Sequence, residues 1–337
     1  MRGTPSGLPL RAALKRGALV TAANWPVVLI RFVMIAMYRV SVGVPVVGGA
    51  FVVAVLAGAD IRTLLASDLQ AAGGLVIAAL AGRPADLAVF LLAVGVVAVG
   101  GGVLVFLMHA GTAGILVQGE RQAGDVHRAP LRLPAVWRAN AFGIAEFQAG
   151  VRRFGRRFVI LGLWLTVAYA GVGGFAVGGL LVLAAVGGEQ GGPAVWGLGV
   201  LLVTSGVLIA VAGLNLVYAL LQVIIVTDGC RVSQAVGRLH AFVTHDARQV
   251  AGVFGVVLAL VVLASAASLL ATAGLALVAW VPFVGLAVVP LQLAAWLMRG
   301  VVFHYMELGA WSAYQSQYRR YADPASGEDV SAWGVRA

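Results

Sequence analysis

Six long apolar runs dominate the chain, at 25–56, 87–117, 158–186, 195–226, 250–279 and 281–311. The hydrocarbon core of a bilayer is about 30 Å thick and a helix rises about 1.5 Å per residue, so roughly 20 apolar residues cross it. In lipid there is no water to satisfy the backbone, and a helix is the fold that closes its hydrogen bonds within one segment. The runs therefore predict an all-α polytopic membrane bundle of six transmembrane helices. Composition excludes a soluble alternative: 61% of the 337 residues are hydrophobic and 11% are charged, against about 25% charged in a soluble domain. The shorter run 73–81 is too brief to cross and is closed by Arg83-Pro84; it reads as an interfacial or re-entrant piece.

Lysine and arginine in the connections set the expected orientation, because they are retained on the cytoplasmic side. Residues 1–24 carry four, 118–157 carry eight, 227–249 carry three, and the tail beyond Glu307 carries three. The alternate connections hold only Arg62 and Arg83, beside the acidic Asp60, Asp68, Asp86 and Glu189. This asymmetry predicts both termini in the cytoplasm. The net charge of +10 follows the same distribution, so anionic lipid headgroups rather than nucleic acid are its expected counter-charge.

Each cytoplasmic connection also contains an amphipathic segment directly before a span. In the middle one Phe147, Val151, Phe154 and Phe158 form an apolar stripe, with Arg152, Arg153, Arg156 and Arg157 turned largely away. The third repeats this with Val232, Val236, Leu239 and Val243 inside and Arg231, Gln234, Arg238 and Asp246 outside. The first is weaker, with Leu14, Ala18 and Thr21 beside Lys15 and Arg16. An alanine precedes an arginine by three residues in all of them, at Ala13, Ala149 and Ala235. The chain thus reads as three parallel repeats of one surface helix and two spans. The expected organisation is an amphipathic segment at 1–24, a membrane domain at 25–321 with amphipathic helices near 131–157 and 229–249, and a flexible tail at 322–337.

Through VTDGCRVSQAVGRLHAFVTHDARQV and LMRGVVFHYMELGAWSAYQSQYRRY the chain resembles bacterial six-span proteins that include the membrane domain joined to some glycerophosphodiester phosphodiesterases. The resemblance is one of hydropathy and punctuation. It implies a compact six-helix bundle in a bacterial cytoplasmic (inner) membrane, and no phosphodiesterase activity, since the catalytic domain has no counterpart here.

Polar residues inside apolar runs are the natural site candidates, because ionisable groups in lipid are costly. They are Arg31 and Arg39 in the first run, His109 in the second, Asn215 and Gln222 in the fourth, and Arg299, His304 and Glu307 in the sixth. Arg39, His109, Arg299, His304 and Glu307 are the candidates for a lipid or anion site: His304 and Glu307 are helical neighbours, and the arginines can neutralise Glu307 or hold an anionic headgroup. The competing expectation is that the arginines snorkel to the headgroups while the histidines and amides satisfy one another. Trp311, Tyr314, Tyr318 and Tyr321 form an aromatic stripe, expected as a belt at the membrane interface. Gly173, Gly174, Gly178 and Gly179 in GVGGFAVGG are expected as a helix-packing face.

No hydrolase, phosphate-loop or zinc-protease motif is present. The single Cys230 excludes an internal disulfide or a paired-cysteine metal site. His240 and His245 lie about 140° apart on a helix, unsuited to sharing a metal. No cofactor is expected. The residues favour a non-enzymatic scaffold or accessory subunit at the cytoplasmic leaflet, with membrane lipids and protein partners in a complex. A transporter or lipid-handling permease is the alternative, and an intramembrane enzyme using His304 and Glu307 is a third. A topology reporter fused at residue 140 is expected to report the cytoplasm; a signal from the opposite side reverses the orientation.

Overall fold

The computed structural model describes residues 9–56, 71, 74, 82–128, 133–186, 193–279 and 284–322. Among them every regular element is a helix. These are α1 (Leu10–Ala23), α2 (Trp25–Val44), a π-helical turn (Pro45–Gly49), α3 (Ala50–Leu56), α4 (Pro84–Gln122), α5 (Leu133–Arg138), α6 (Ile144–Val186), α7 (Pro193–Asp228), α8 (Val232–Ala279) and α9 (Val284–Ala322). The π-turn begins at Pro45, whose missing N–H interrupts the α-helical ladder. All of 73–81 except Gly74, and the tail at 323–337, lie outside the described residues.

Five described stretches are long and apolar enough to cross a bilayer, as a multi-pass membrane protein requires: Trp25–Val52, Pro84–Gln122, Ile144–Ala185, Trp196–Asp228 and Val232–Leu277. The sixth predicted run falls largely in α9, which is not among them. The start of that run, 281–283, lies outside the described residues.

The chain divides into two compact units, Ile30–Met108 and the remainder. In the smaller unit α2 and α4 approach through glycines set against aromatic rings. A Cβ on Gly101 would lie 2.6 Å from the Tyr38 ring, and one on Gly49 would lie 2.8 Å from Phe90. The Tyr38 hydroxyl donates to the Ala98 carbonyl at 3.2 Å.

In the larger unit α1 packs along α9, α9 along α8 and α7, and α6 along α7. The core gathers at one end of these helices, around Ile115 and Leu116 of α4, Phe154 and Phe158 of α6, Ile224 and Ile225 of α7, Phe242 of α8, and Leu308 and Tyr318 of α9. Farther along the same helices leucines such as Leu181, Leu202 and Leu270 are exposed, as lipid-facing residues are. Close crossings in the packed end depend on small residues. A Cβ on Gly17 would sit 2.4 Å from the Gly309 carbonyl oxygen, and one on Gly114 would sit 2.9 Å from the Gly150 Cα.

Polar contacts complete this end. Arg16 is buried and donates through Nε to Glu120 Oε1 at 2.6 Å, through Nη2 to the Glu120 carbonyl at 3.2 Å, and through Nη1 to the Gly124 carbonyl. Gly124 takes a positive φ of 51° just past the end of α4, a conformation glycine adopts freely. Asn24 separates α1 from α2 and is fully buried; its amide nitrogen donates to the Val20 and Ala139 carbonyls at 2.9 and 2.8 Å, and its oxygen accepts the Ala141 N–H at 2.9 Å. Asp228 accepts the Tyr318 hydroxyl at 2.5 Å and pairs with Arg238, joining the end of α7 to α8 and α9.

The amphipathic segments follow the expected pattern in part. Phe154 and Phe158 point inward with Arg152, Arg153 and Arg156 exposed. In the first segment the buried face is Ala13, Arg16, Gly17, Val20 and Thr21, so Arg16 belongs to the interior rather than the headgroup level. In the third, Ala235 and Phe242 are fully buried and Val236 is exposed, shifting the stripe by about one residue. The Trp311, Tyr314 and Tyr318 stripe is also buried, with Tyr318 edge-on to Phe242 at 5.2 Å, rather than lying at a lipid interface.

Arg16→Ala is expected to cost about 3 kcal/mol, because it leaves the Glu120 carboxylate buried without its partner. Pairing Arg16→Met with Glu120→Leu is expected to recover much of that loss in denaturation of the detergent-solubilised protein. His127 is buried nearby, and burial first and Arg16 second hold its imidazole below the usual histidine range. The unfolded chain then binds the proton more readily, so stability is full above the ordinary histidine pKa of ~6.5 and falls as pH drops through it. Thermal midpoints at pH 5 and 7.5 are expected to differ less in His127→Gln than in the parent.

Candidate functional site

The sequence-derived candidates divide between the two units. Arg39 is exposed in the smaller one, together with the buried Arg31. His109, Arg299, His304 and Glu307 belong to the larger unit. Of these, His304 and Glu307 meet directly, with Nδ1 and Oε2 3.3 Å apart. Arg299 is exposed and lies over the Phe303 ring, 5.6 Å from its centroid. Asn215 accepts the Tyr169 hydroxyl at 2.7 Å. The His304–Glu307 contact is local to one helix, and Glu307 is half exposed.

The larger unit places a different group of cations together. A cavity of about 1130 Å³ opens between α6, α7 and the first turn of α8. Arg152, Arg153, Arg156 and Arg157 line it from α6, and Arg231 lines it from the linker before α8. The four α6 arginines fall within about 140° of helix circumference, opposite the buried Phe154 and Phe158. Below them the walls are apolar: Ile160, Leu161, Trp164 and Leu165 on α6, and Leu214, Val217 and Leu221 on α7. No carboxylate is among the lining residues.

Two contacts shape the charged end. Arg157 Nη1 donates to the Gly229 carbonyl at 2.7 Å, and Gly229 has a positive φ of 63°, so the turn carrying Arg231 is tied to α6. The Arg153 guanidinium lies over the Phe154 ring, 5.1 Å from its centroid. A second hollow of about 510 Å³ shares Ala168, Leu214 and Val217 with the first, and Gly171, Gly206 and Gly213 also line it. A Cβ at any of these three glycines would meet no atom within 4 Å.

The glycines of GVGGFAVGG do not serve as an internal packing face. Gly173, Gly174 and Gly178 face open space, and only Gly179 approaches a neighbour, with its would-be Cβ 3.2 Å from Val203. Among the described residues no group of histidine, cysteine and carboxylate side chains is arranged to hold a metal. Cys230 is buried, which pushes its thiol above the usual range and away from thiolate chemistry.

Sequence reasoning found the α6 arginines as a basic face but did not bring Arg231 to them. The available signal was RRFGRR abutting an apolar run. The turn at Gly229 that delivers Arg231 is tertiary and has no periodicity to reveal it. No family model, curated protein or solved structure matches the chain.

Proposed function

We propose that this chain is a non-enzymatic, lipid-handling membrane protein that holds an anionic lipid of the cytoplasmic leaflet in the groove between α6 and α7. The observation that carries this reading is the convergence of five arginines, from two segments, over an apolar groove with no lining carboxylate. Guanidinium forks match phosphate oxygens in pairs, and apolar walls beneath them match hydrocarbon. A soluble anion would have no use for the apolar depth. A hydrolytic reaction would need a nucleophile or base in the groove, and its lining residues offer neither beyond Ser233 and Tyr218.

The orientation proposed is six spans with both termini cytoplasmic, α9 being the sixth. In support, α9 is 39 residues long and packs beside α7 and α8, and the arginine-rich segments share one side if the count is even. A repeat of surface helix and two spans is supported by the first and third units. Leu10–Ala23 and residues 232–245 are both 14 residues long. Asn24 breaks the first at φ −107°, ψ 35°, and Asp246 kinks the second at φ −117°, ψ 32°. Aligned so, Ala13 matches Ala235 and Val20 matches Phe242, all fully buried. Arg16 and Arg238 each pair with a carboxylate near the end of a long helix, Glu120 and Asp228. The second unit departs, since Ala149 is exposed and α6 continues without a break. The likeness to the membrane domain joined to glycerophosphodiester phosphodiesterases remains part of this proposal, as an architectural likeness only.

A scaffold or accessory role is favoured by one separate feature, the open face at Gly173, Gly174 and Gly178, which suits a partner helix. Stoichiometric co-purification of another membrane protein would support it.

Native mass spectrometry tests the lipid reading. The parent protein is expected to retain anionic lipid through gentle detergent extraction. Arg152→Gln, Arg153→Gln, Arg156→Gln and Arg231→Gln combined are expected to lose it, while Arg299→Ala and Glu307→Ala keep it. Equal retention in the combined variant removes the groove as the site.

A further inference from the structure

We infer that the occupant of the groove is a lipid ending in a phosphomonoester or diphosphate, its chain laid in the cleft between α6 and α7; this rests on the lipid reading above. Charge is the first ground. Five guanidinium groups line one end with no carboxylate among the lining residues. A phosphodiester headgroup supplies one negative charge, whereas a terminal phosphate carries nearly two at neutral pH, its second ionisation falling near pH ~6, and a diphosphate carries more. Geometry is the second ground. A phosphodiester has two non-ester oxygens and a terminal phosphate has three, so the latter can engage several arginine forks at once. Arg157 is already committed through Nη1 to Gly229 and holds the turn, leaving Arg152, Arg153, Arg156 and Arg231 arranged about the space.

Depth is the third ground. The apolar lining continues from the arginines past Ala168 to Phe175. From Arg157 to Phe175 is about 27 Å along a helix rising 1.5 Å per residue, against ~15 Å for half a hydrocarbon core. Gly171, Gly206 and Gly213 add no side chains to the far part. A chain entering beneath the arginines therefore has an apolar path longer than one leaflet. Both a diacyl lipid phosphate and a polyprenyl phosphate present the same head to the arginines, and chain length separates them.

The test is competition for the purified full-length protein by native mass spectrometry. Dioleoyl phosphatidic acid, dioleoyl phosphatidylglycerol and undecaprenyl phosphate are supplied at equal mole fraction. At pH 7.5 the terminal-phosphate lipids are expected to outcompete phosphatidylglycerol by about tenfold. At pH 5 the advantage is expected to shrink towards parity. The ionisable lining groups are Arg152, Arg153, Arg156, Arg157 and Arg231, with Tyr218 on α7, and the second ionisation of a terminal phosphate falls between the two pH values. A larger advantage for the polyprenyl lipid assigns the long chain, and a larger one for phosphatidic acid assigns the diacyl chain. Equal retention of phosphatidic acid and phosphatidylglycerol at both pH values overturns the terminal-phosphate assignment while leaving an anionic-lipid site standing. Retention unaffected by the arginine substitutions overturns both. Gly213→Leu supplies an independent variant, because a Cβ at Gly213 meets no atom within 4 Å and the longer side chain extends into the hollow from there. It is expected to lower retention of the preferred lipid about tenfold with thermal stability unchanged; unchanged retention overturns the placement of the chain.

Discussion

A backbone that crosses hydrocarbon must close its own hydrogen bonds, so the helices here are obligatory and carry little information about how they assemble. Lipid is as apolar as leucine, which leaves close packing and polar contacts to choose among arrangements. In the larger unit these devices concentrate at one end. Gly17 lets α1 lie against the backbone of α9, Asn24 saturates its amide with three backbone groups, and Arg16 clamps the end of α4. The remainder of each long helix is comparatively free of such devices and presents leucine, valine and glycine outward.

The Arg16 clamp also explains why one face of α1 is buried. A guanidinium buried to 8% exposure needs a full set of acceptors, and here it has the Glu120 carboxylate, the Glu120 carbonyl and the Gly124 carbonyl. The Gly124 carbonyl is presented because glycine turns the chain left-handed there, just past the helix end. Arg157 and Gly229 repeat the device at the end of α7. An arginine received by a carbonyl at a helix-terminating glycine thus ties α1 to the end of α4 and α6 to the end of α7.

Helices, and five stretches long and apolar enough to cross a bilayer, were legible because each rests on a local apolar run. The inward phenylalanines of α6 were legible for the same reason. The faces of α1 and α8 were read about one residue away, because alanine and glycine carry little hydrophobic weight and yet Ala13, Gly17 and Ala235 sit deepest. Arg16 was read as part of a surface helix and Tyr318 as part of an interfacial belt, where pairing with Glu120 and Asp228 holds them in the packed end instead. Those partners lie 104 and 90 residues away in the chain, beyond any periodicity. The proposed site suffered likewise: one wall was visible in RRFGRR, while the opposite wall and Arg231 come from separate segments.

Glycine has two opposite uses in this chain, and the difference decides where a ligand fits. At Gly17, Gly114 and Gly119 the missing side chain is filled by a neighbour's backbone or side chain, and the helices lock. At Gly171, Gly206 and Gly213 nothing fills it, and the absence becomes volume beneath a ring of arginines. In bulk water an open apolar trough would tend to collapse or bind nonspecifically; within a membrane it is solvated by lipid chains whatever else occurs. Selectivity must therefore come from the charged end, since the apolar part accepts any chain of sufficient length. The arginines supply that selection because guanidinium forks match phosphate oxygens in pairs, so the charge and oxygen count of the incoming headgroup become the variable.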